Sequence, residues 1–248
     1  MFKQANGVRY VRFLSDVLTK NTFDWYLEIG CRTGRVFGAS RGKSIAVDPY
    51  FLVQNNVIGV KPVLHIFQKT SDDFFASNFL DAMNVKLSFS FLDGMHLFEY
   101  LLRDFIATEQ HSTPDSVIVM HDCCPFTHEM TTRDIDNLPK GNWTGDVWKL
   151  VPILKKYRPD LDIRVLDAAP TGLVMVSALD PSSKILTENY ENIIRDFIDL
   201  DLDEFGVERF YDLFEYESTR AIMTEGYAFL EQVNLSSDTA LTPKKITP

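Results

Sequence analysis

Apolar residues recur at helical spacing over residues 8–20, where Val8, Val11, Leu14, Val17 and Leu18 share one face. Beyond that point short apolar runs alternate with amphipathic stretches. The runs WYLEIG (25–30), SIAVDPY (44–50), PVLHIFQ (62–68), LSFSFLDG (87–94) and DSVIVMHD (115–122) predict five strands, each bounded by Gly, Pro or Asp. SDDFFASNFLDAM (71–83) predicts a helix with Ser71 as N-cap before Asp72 and Asp73. HLFEYLLRDFIATEQ (96–110) predicts another, with Leu97, Tyr100, Leu101 and Phe105 apolar. Residues 125–145 are polar and irregular. VWKLVPILKKY (147–157) reads as helix despite Pro152. IRVLDAA (163–169) and TGLVMVSAL (171–179) read as a closing hairpin that turns at Pro170 and Gly172. Residues 187–234 are helical in pattern and strongly acidic.

Strands alternating with helices over 25–125 imply a mostly parallel sheet with helices on both faces, and the hairpin adds an antiparallel edge. In such α/β sheets ligands bind at the carboxyl ends of the strands. The residues to watch are therefore Glu28–Gly34, Asp48, Ser71–Asp72, Asp93–His96 and His121–Pro125. The expected organisation is a core domain over residues 1–180, an acidic helical extension over 181–235 and a polar tail over 236–248.

Composition narrows the function classes. The 248 residues carry a formal net charge of −10, which disfavours a general nucleic-acid binder. A hydrophobic fraction of 45% argues against a disordered chain. No apolar run approaches the roughly 20 residues of a membrane span, and no secretory signal is visible. The three cysteines, Cys31, Cys123 and Cys124, do not make a disulfide framework, and a reducing, cytoplasmic location is expected.

Three motifs carry candidate chemistry. In Glu28-Ile29-Gly30-Cys31-Arg32-Thr33-Gly34, which follows a strand and precedes an expected helix, the glycines allow a tight turn and close approach of a ligand. Arg32 stands where a dinucleotide fingerprint would have its second glycine, which disfavours a nicotinamide enzyme. Asp48, 18 residues after Gly30, ends the second strand where an acid can bind both hydroxyls of a ribose. In Asp93-Gly94-Met95-His96 an acid for metal or substrate stands three residues before a histidine able to act as general base. In His121-Asp122-Cys123-Cys124-Pro125 the aspartate is expected beside Asp93, and two such carboxylates invite a divalent cation. Zinc on His121, Cys123, Cys124 and His128 is disfavoured, because consecutive strand residues alternate faces. The cysteine pair is read as packing. Trp143, in the polar loop, is a candidate substrate contact; Trp148 reads as core.

Taken together, LEIGCRTG, AVDP, TSDDFF, FLDGMHLFEYLLRD, MHDCCP and GDVWK resemble the class I S-adenosylmethionine-dependent methyltransferases, in the methyltransferase 24 branch. That branch is similar to the metal-dependent sugar O-methyltransferases of macrolide biosynthesis. The resemblance spans roughly residues 22–178 and implies a Rossmann-like fold with a seven-stranded, mostly parallel sheet. It implies that Glu28, Gly30, Cys31, Arg32 and Gly34 hold the methionine part of the cofactor, with Asp93 adjoining. Asp48 would bind the ribose, and Ser71 and Asp72 would flank the adenine. Asp93 and Asp122 would be magnesium ligands, His96 the general base with Asp93 beside it, and His121 and Trp143 substrate contacts. Cys123 stands where related metal-dependent members carry a third ligand, Asp or Asn.

The leading expectation is methylation of a hydroxyl on a small molecule such as a sugar or glycosylated metabolite, with S-adenosylmethionine as cofactor and magnesium as a candidate second one. Nucleic acid and membrane are not expected partners; a second copy of the chain is a candidate one, through the acidic C-terminal helices. The competing readings are an idle cofactor-binding or scaffold protein of the same fold and a nicotinamide-dependent oxidoreductase.

Overall fold

A computed structural model describes residues 1–233 and 235–236. The expected tail falls outside them from residue 237 onward. Eight strands form one sheet: β1 (Trp25–Ile29), β2 (Lys43–Val47), β3 (Leu64–Phe67), β4 (Leu87–Leu92), β5 (Ser112–His121), β6 (Asp162–Leu166), β7 (Leu173–Ser177) and β8 (Tyr216–Glu217). Their order is β3-β2-β1-β4-β5-β7-β6-β8. The first five run parallel, and β7 is antiparallel to both β5 and β6. The expected seven strands are all present. The eighth is a two-residue addition, parallel to β6, from the acidic C-terminal segment.

Alternation along the strands sends side chains to two cores. Leu27, Leu92, Ile118 and Met120 join one face, with Phe105 and Trp148. Tyr26, Phe89, Phe91 and Val119 join the other, with Phe13 and Leu14. The helix α1 (Tyr10–Lys20) covers the second face with its apolar stripe. The helices α4 (Phe98–Gln110) and α5 (Leu150–Tyr157) cover the first.

Four local expectations are corrected. The 71–83 helix is two short pieces, α2 (Ser71–Ala76) and α3 (Phe79–Ala82), because Asn78 takes a left-handed φ of 57° between them. Its N-cap is Thr70, whose hydroxyl accepts from the Asp73 N–H, so Ser71 is the first helical residue. After the glycine loop the chain makes only a single 3-10 turn over Phe37–Ala39 before β2, not an α-helix. The 147–157 helix opens with a further 3-10 turn over Val147–Lys149.

The C-terminal segment forms α6 (Ile185–Glu188), α7 (Tyr190–Phe197), α8 (Leu202–Phe205), α9 (Val207–Tyr211) and α10 (Thr219–Glu225). It packs Ile193, Leu202 and Phe210 into the core around Trp148. Tyr211 donates its hydroxyl to the Pro125 carbonyl at 2.6 Å, tying this segment to the loop after β5. No described helix is long and apolar enough to cross a membrane.

Candidate active site

The ends of β1, β2, β4 and β5 converge on one crevice. Gly30 takes φ 85°, and a side chain there would place its Cβ 1.9 Å from the Asp93 carbonyl oxygen. Only glycine lets the β1 and β4 ends approach this closely. The Asp48 carboxylate, 6% exposed, accepts from the Arg32 N–H at 2.7 Å and from the Tyr50 N–H at 2.7 Å. It thereby fixes the glycine loop, with Arg32 in a left-handed turn of φ 35°. Cys31 is buried, its thiol on the Glu28 carbonyl. Glu28 itself is turned into the core, where Tyr26 donates to it, and burial pushes its carboxyl up to about 8.

On the β3 side, Ser71 and Asp72 open α2, but Asp72 is held on the surface by both forks of Arg103, at 2.8 and 2.7 Å. A second carboxyl, Asp104 of α4, lies behind Gly94, with Oδ2 3.5 Å from where a Cβ would stand there. It is 2% exposed, and burial raises it to about 7, opposed by a hydrogen bond from Ser71.

At the β4 and β5 ends four titratable groups meet. His121 Nδ1 lies 3.1 Å from Asp93 Oδ1 and 3.4 Å from Asp122 Oδ2. His96 Nε2 lies 3.4 Å from Asp122 Oδ2 and 3.7 Å from Asp93 Oδ1. Consecutive residues of a strand should point to opposite faces. His121 and Asp122 nevertheless converge because Asp122 takes φ 60° and leaves the strand. Thr171 donates its hydroxyl to Asp122 Oδ1 at 2.6 Å, so its oxygen must accept the 3.3 Å bond from His121 Nε2. Both ring nitrogens of His121 therefore carry protons. Burial opposes that charge, but Asp122 and Asp93 outweigh it and push His121 up to about 10. For His96 the same contest ends at about 8, burial being outweighed by the Asp93 hydrogen bond and the charges of Asp122 and Asp93. Asp93, despite burial, is held well below the usual carboxylate range by His121.

His96 is oriented from the loop after β5. Its Nδ1 lies 2.8 Å from the Trp143 carbonyl oxygen, which can only accept, so Nδ1 carries a proton and Nε2 faces the carboxylates. The Trp143 ring packs beside the imidazole, centroids 4.9 Å apart, and its Nε1 donates to the Thr132 carbonyl. Tyr10 of α1 lies over His121, ring centroids 3.8 Å apart. Sequence reasoning missed Tyr10, Asp104 and Thr171. Tyr10 and Thr171 are distant in the chain from the motif they serve, and Asp104, although the last residue of FLDGMHLFEYLLRD, is given no role by that motif.

Asp93, His96 and Asp122 offer ligand atoms within 4.8 Å of one another, the one such group among the described residues. The two carboxylates fit a divalent cation, with the remaining positions left to water or a substrate hydroxyl and the imidazole left free beside them. Cys123 takes no part, because its buried thiol turns onto the His121 carbonyl. Cys124 is also fully buried. Beyond the loop a cavity of about 390 Å³ is lined by Arg133, Asp146, Lys149 and Leu200 among others. It contains neither His96 nor the two aspartates.

Residues 25–123 match the family model of a methyltransferase domain. The fold is the class I methyltransferase fold. It is similar to the O-methyltransferase TomG from Streptomyces achromogenes, involved in tomaymycin synthesis and solved with SAM. The TM-score is 0.52 at 13% identity, over 68% of this chain and 79% of that one. It is also similar to cofactor-bound Rv0187 from MTB, at TM-score 0.51 and 13% identity, over 70% and 84%. MycE of the mycinamycin pathway, solved with Mg, SAH and mycinamycin VI, gives a TM-score of 0.43 at 14% identity, over 70% of this chain and 49% of that one. No curated protein matches the sequence.

Proposed function

We propose that this chain, a class I methyltransferase by fold and by its matched domain, is an S-adenosylmethionine-dependent O-methyltransferase in which His96 is the general base. The observation that carries the reading is the pose of His96. Its Nδ1–H is fixed on the Trp143 carbonyl, and Nε2 is turned into the crevice beside Asp93 and Asp122. A base must present a lone pair to the proton it takes. This pose leaves Nε2 as that lone pair whenever the imidazole is neutral.

The glycine loop from Gly30 to Gly34 and the Asp48 carboxylate lie at adjoining strand ends, which supports a nucleoside there. Bound S-adenosylmethionine supplies an electrophilic methyl group on its sulfonium. His96 Nε2 takes the proton of the acceptor hydroxyl as the oxygen attacks. Asp93 and Asp122 hold the imidazole in place and stabilise its charge after the transfer. Asp93 and Asp122 would also hold a divalent cation, which polarises an acceptor oxygen when bound. Alignment of the acceptor oxygen with the methyl group at near-attack distance is the main requirement on the protein. The Trp143 ring, half-buried beside His96, walls the acceptor side. The acceptor class we favour is a sugar or glycosylated small molecule, on the resemblance of the DGMH, HD and GDVWK series to the macrolide sugar O-methyltransferases.

Thermal unfolding with S-adenosylmethionine, S-adenosylhomocysteine or NAD, each with and without magnesium, tests the cofactor. At 100 times its dissociation constant a ligand adds about 2.7 kcal/mol. For a chain of this size that is a rise of about 5–10 °C. Transfer of labelled methyl to a panel of hydroxylated small molecules then separates an enzyme from an idle binding protein. A rise with the adenosyl ligands but no transfer to any acceptor favours the idle protein. A rise with NAD alone rejects the methyltransferase reading.

A further inference from the structure

The GDVWK series contains a carboxylate that touches neither the glycine loop nor the acid pair, yet is 2% exposed. Asp146 Oδ1 accepts from the Phe98 N–H at 2.8 Å, satisfying a donor in the first turn of α4. Asp146 Oδ2 accepts from Lys149 Nζ at 2.7 Å and from Arg133, whose other contacts are the two oxygens of Glu99. The Asp146 N–H donates to the His96 carbonyl at 3.2 Å. One residue earlier, Gly145 packs so closely that a Cβ would lie 1.6 Å from that same carbonyl oxygen. Three residues earlier, the Trp143 carbonyl takes His96 Nδ1. The segment 143–146 therefore holds His96 by its ring, its carbonyl and, through Phe98, the helix that follows it.

We infer that Asp146 is the positioning residue for His96, clamping the 143–146 segment to the start of α4 so that Nε2 faces the crevice. The inference rests on the reading of His96 as base but concerns only how the ring is held. The clamp depends on charge. Lys149 is buried, its side chain 1% exposed, and Arg133 is one-third exposed; both direct an N–H at the same Asp146 oxygen. An amide at position 146 keeps an acceptor for the Phe98 N–H but loses the anion those two cations share. The 143–146 segment then keeps its bonds to Met130 and the His96 carbonyl but loses the charge that draws it to the start of α4, and the Trp143 carbonyl shifts from the imidazole. Against the Trp143 carbonyl stand the Asp93 and Asp122 carboxylates, 3.7 and 3.4 Å from Nε2, which draw the proton to that nitrogen once the carbonyl is withdrawn.

The test reads the tautomer directly and needs no acceptor. Long-range proton–nitrogen spectra of the uniformly labelled full chain, at about pH 9.5 where His96, pushed up to about 8, is neutral, resolve the five histidines. His96→Gln identifies the His96 signals. The wild type is expected to show His96 protonated on Nδ1. In Asp146→Asn those signals are expected to move to a tautomer mixture with Nδ1–H reduced at least about twofold. His65 and His111 are expected to stay unmoved, and the S-adenosylhomocysteine thermal shift to be retained. A folded Asp146→Asn protein whose His96 signals match wild type overturns the inference, as does a wild type protonated on Nε2. If Asp146→Asn does not fold, Arg133→Gln weakens the same clamp and is judged by the same two outcomes. Failure of the adenosyl ligands to raise the wild-type melting temperature would reject the proposed function but leave the tautomer result to decide the clamp.

Discussion

His121 and Asp93 face each other from the ends of neighbouring strands, Nδ1 3.1 Å from Oδ1, and the far nitrogen of the ring is satisfied by Thr171. The imidazolium lies between two carboxylates that would otherwise repel. Replacing it with a neutral side chain leaves that repulsion buried, which costs about 3–5 kcal/mol. His121→Gln is expected to lower the urea-unfolding free energy at pH 7 by that amount. The sign with pH follows from His121 being raised to about 10. Its contribution is full below the unfolded value near 6.5 and is lost as pH rises through about 10. Wild type should lose stability between pH 7 and 10, and the variant should show less of that loss. A variant within about 0.5 kcal/mol of wild type at pH 7 would show that the carboxylates do not depend on the ring.

The pose of His96 predicts a specific kinetic defect. His96→Gln keeps an amide able to hydrogen-bond but cannot take a proton. Turnover on a true acceptor is expected to fall by about 10²–10⁴-fold. Binding of S-adenosylhomocysteine, read by titration calorimetry, should change little. Because His96 is pushed up to about 8, turnover of the metal-free wild type should rise with pH to that point and then level. Near-normal turnover in the variant would remove His96 from the reaction.

Much of this site was legible from the chain because apolar runs of four to eight residues end at chemistry-bearing residues. Leu87–Leu92 delivers Asp93 and Ser112–His121 delivers Asp122, and strand order then makes them neighbours. The face rule for strands failed at one residue. It separates His121 from Asp122, but the left-handed backbone of Asp122 brings them together, and no pattern of residue types announces a positive φ at an aspartate. In place of the helix expected after Gly34 the chain makes one 3-10 turn, with Val57 and Asn56 of the long loop packed against Gly34 and Gly38. That packing is a tertiary contact with no local signature. Tyr10 and Thr171 reach the same histidine from positions 161 residues apart in the sequence, a pairing only the fold reveals.

Gly30 carries two burdens, a φ of 85° and a carbonyl 1.9 Å from where a Cβ would stand. The positive φ alone costs an L-residue about 1–3 kcal/mol. The overlap is with backbone, which cannot swing away as a side chain would. Gly30→Ala must push the β1 and β4 ends apart, moving Asp93 from His121. The expected loss is at least about 3 kcal/mol in urea unfolding, with S-adenosylhomocysteine binding weakened beyond detection. As a control, Gly141→Ala meets nothing within 4 Å and should unfold at the wild-type midpoint. Equal midpoints for Gly30→Ala and wild type would show that the strand ends do not depend on that contact.

Asp104 predicts an opposite use of charge: an acid the fold prefers neutral. Burial raises it from 3.8 to about 7, and one of its oxygens has no hydrogen-bond partner among the described residues. Between those two values the folded chain holds a proton that the unfolded chain has released. Stability therefore falls as pH rises through the window, by about 4 kcal/mol between its limits. Asp104→Asn has no proton to lose and should be free of that term. Urea midpoints at pH 5 and pH 8 are expected to diverge, the variant gaining on wild type at the higher pH. Glu28, raised by burial to about 8, has the same sign, so part of the decline should persist in the variant. Parallel pH profiles for the two proteins would mean that the Asp104 carboxyl ionises freely where it stands, and that its place beside Ser71 and Gly94 is wetter than the packing implies.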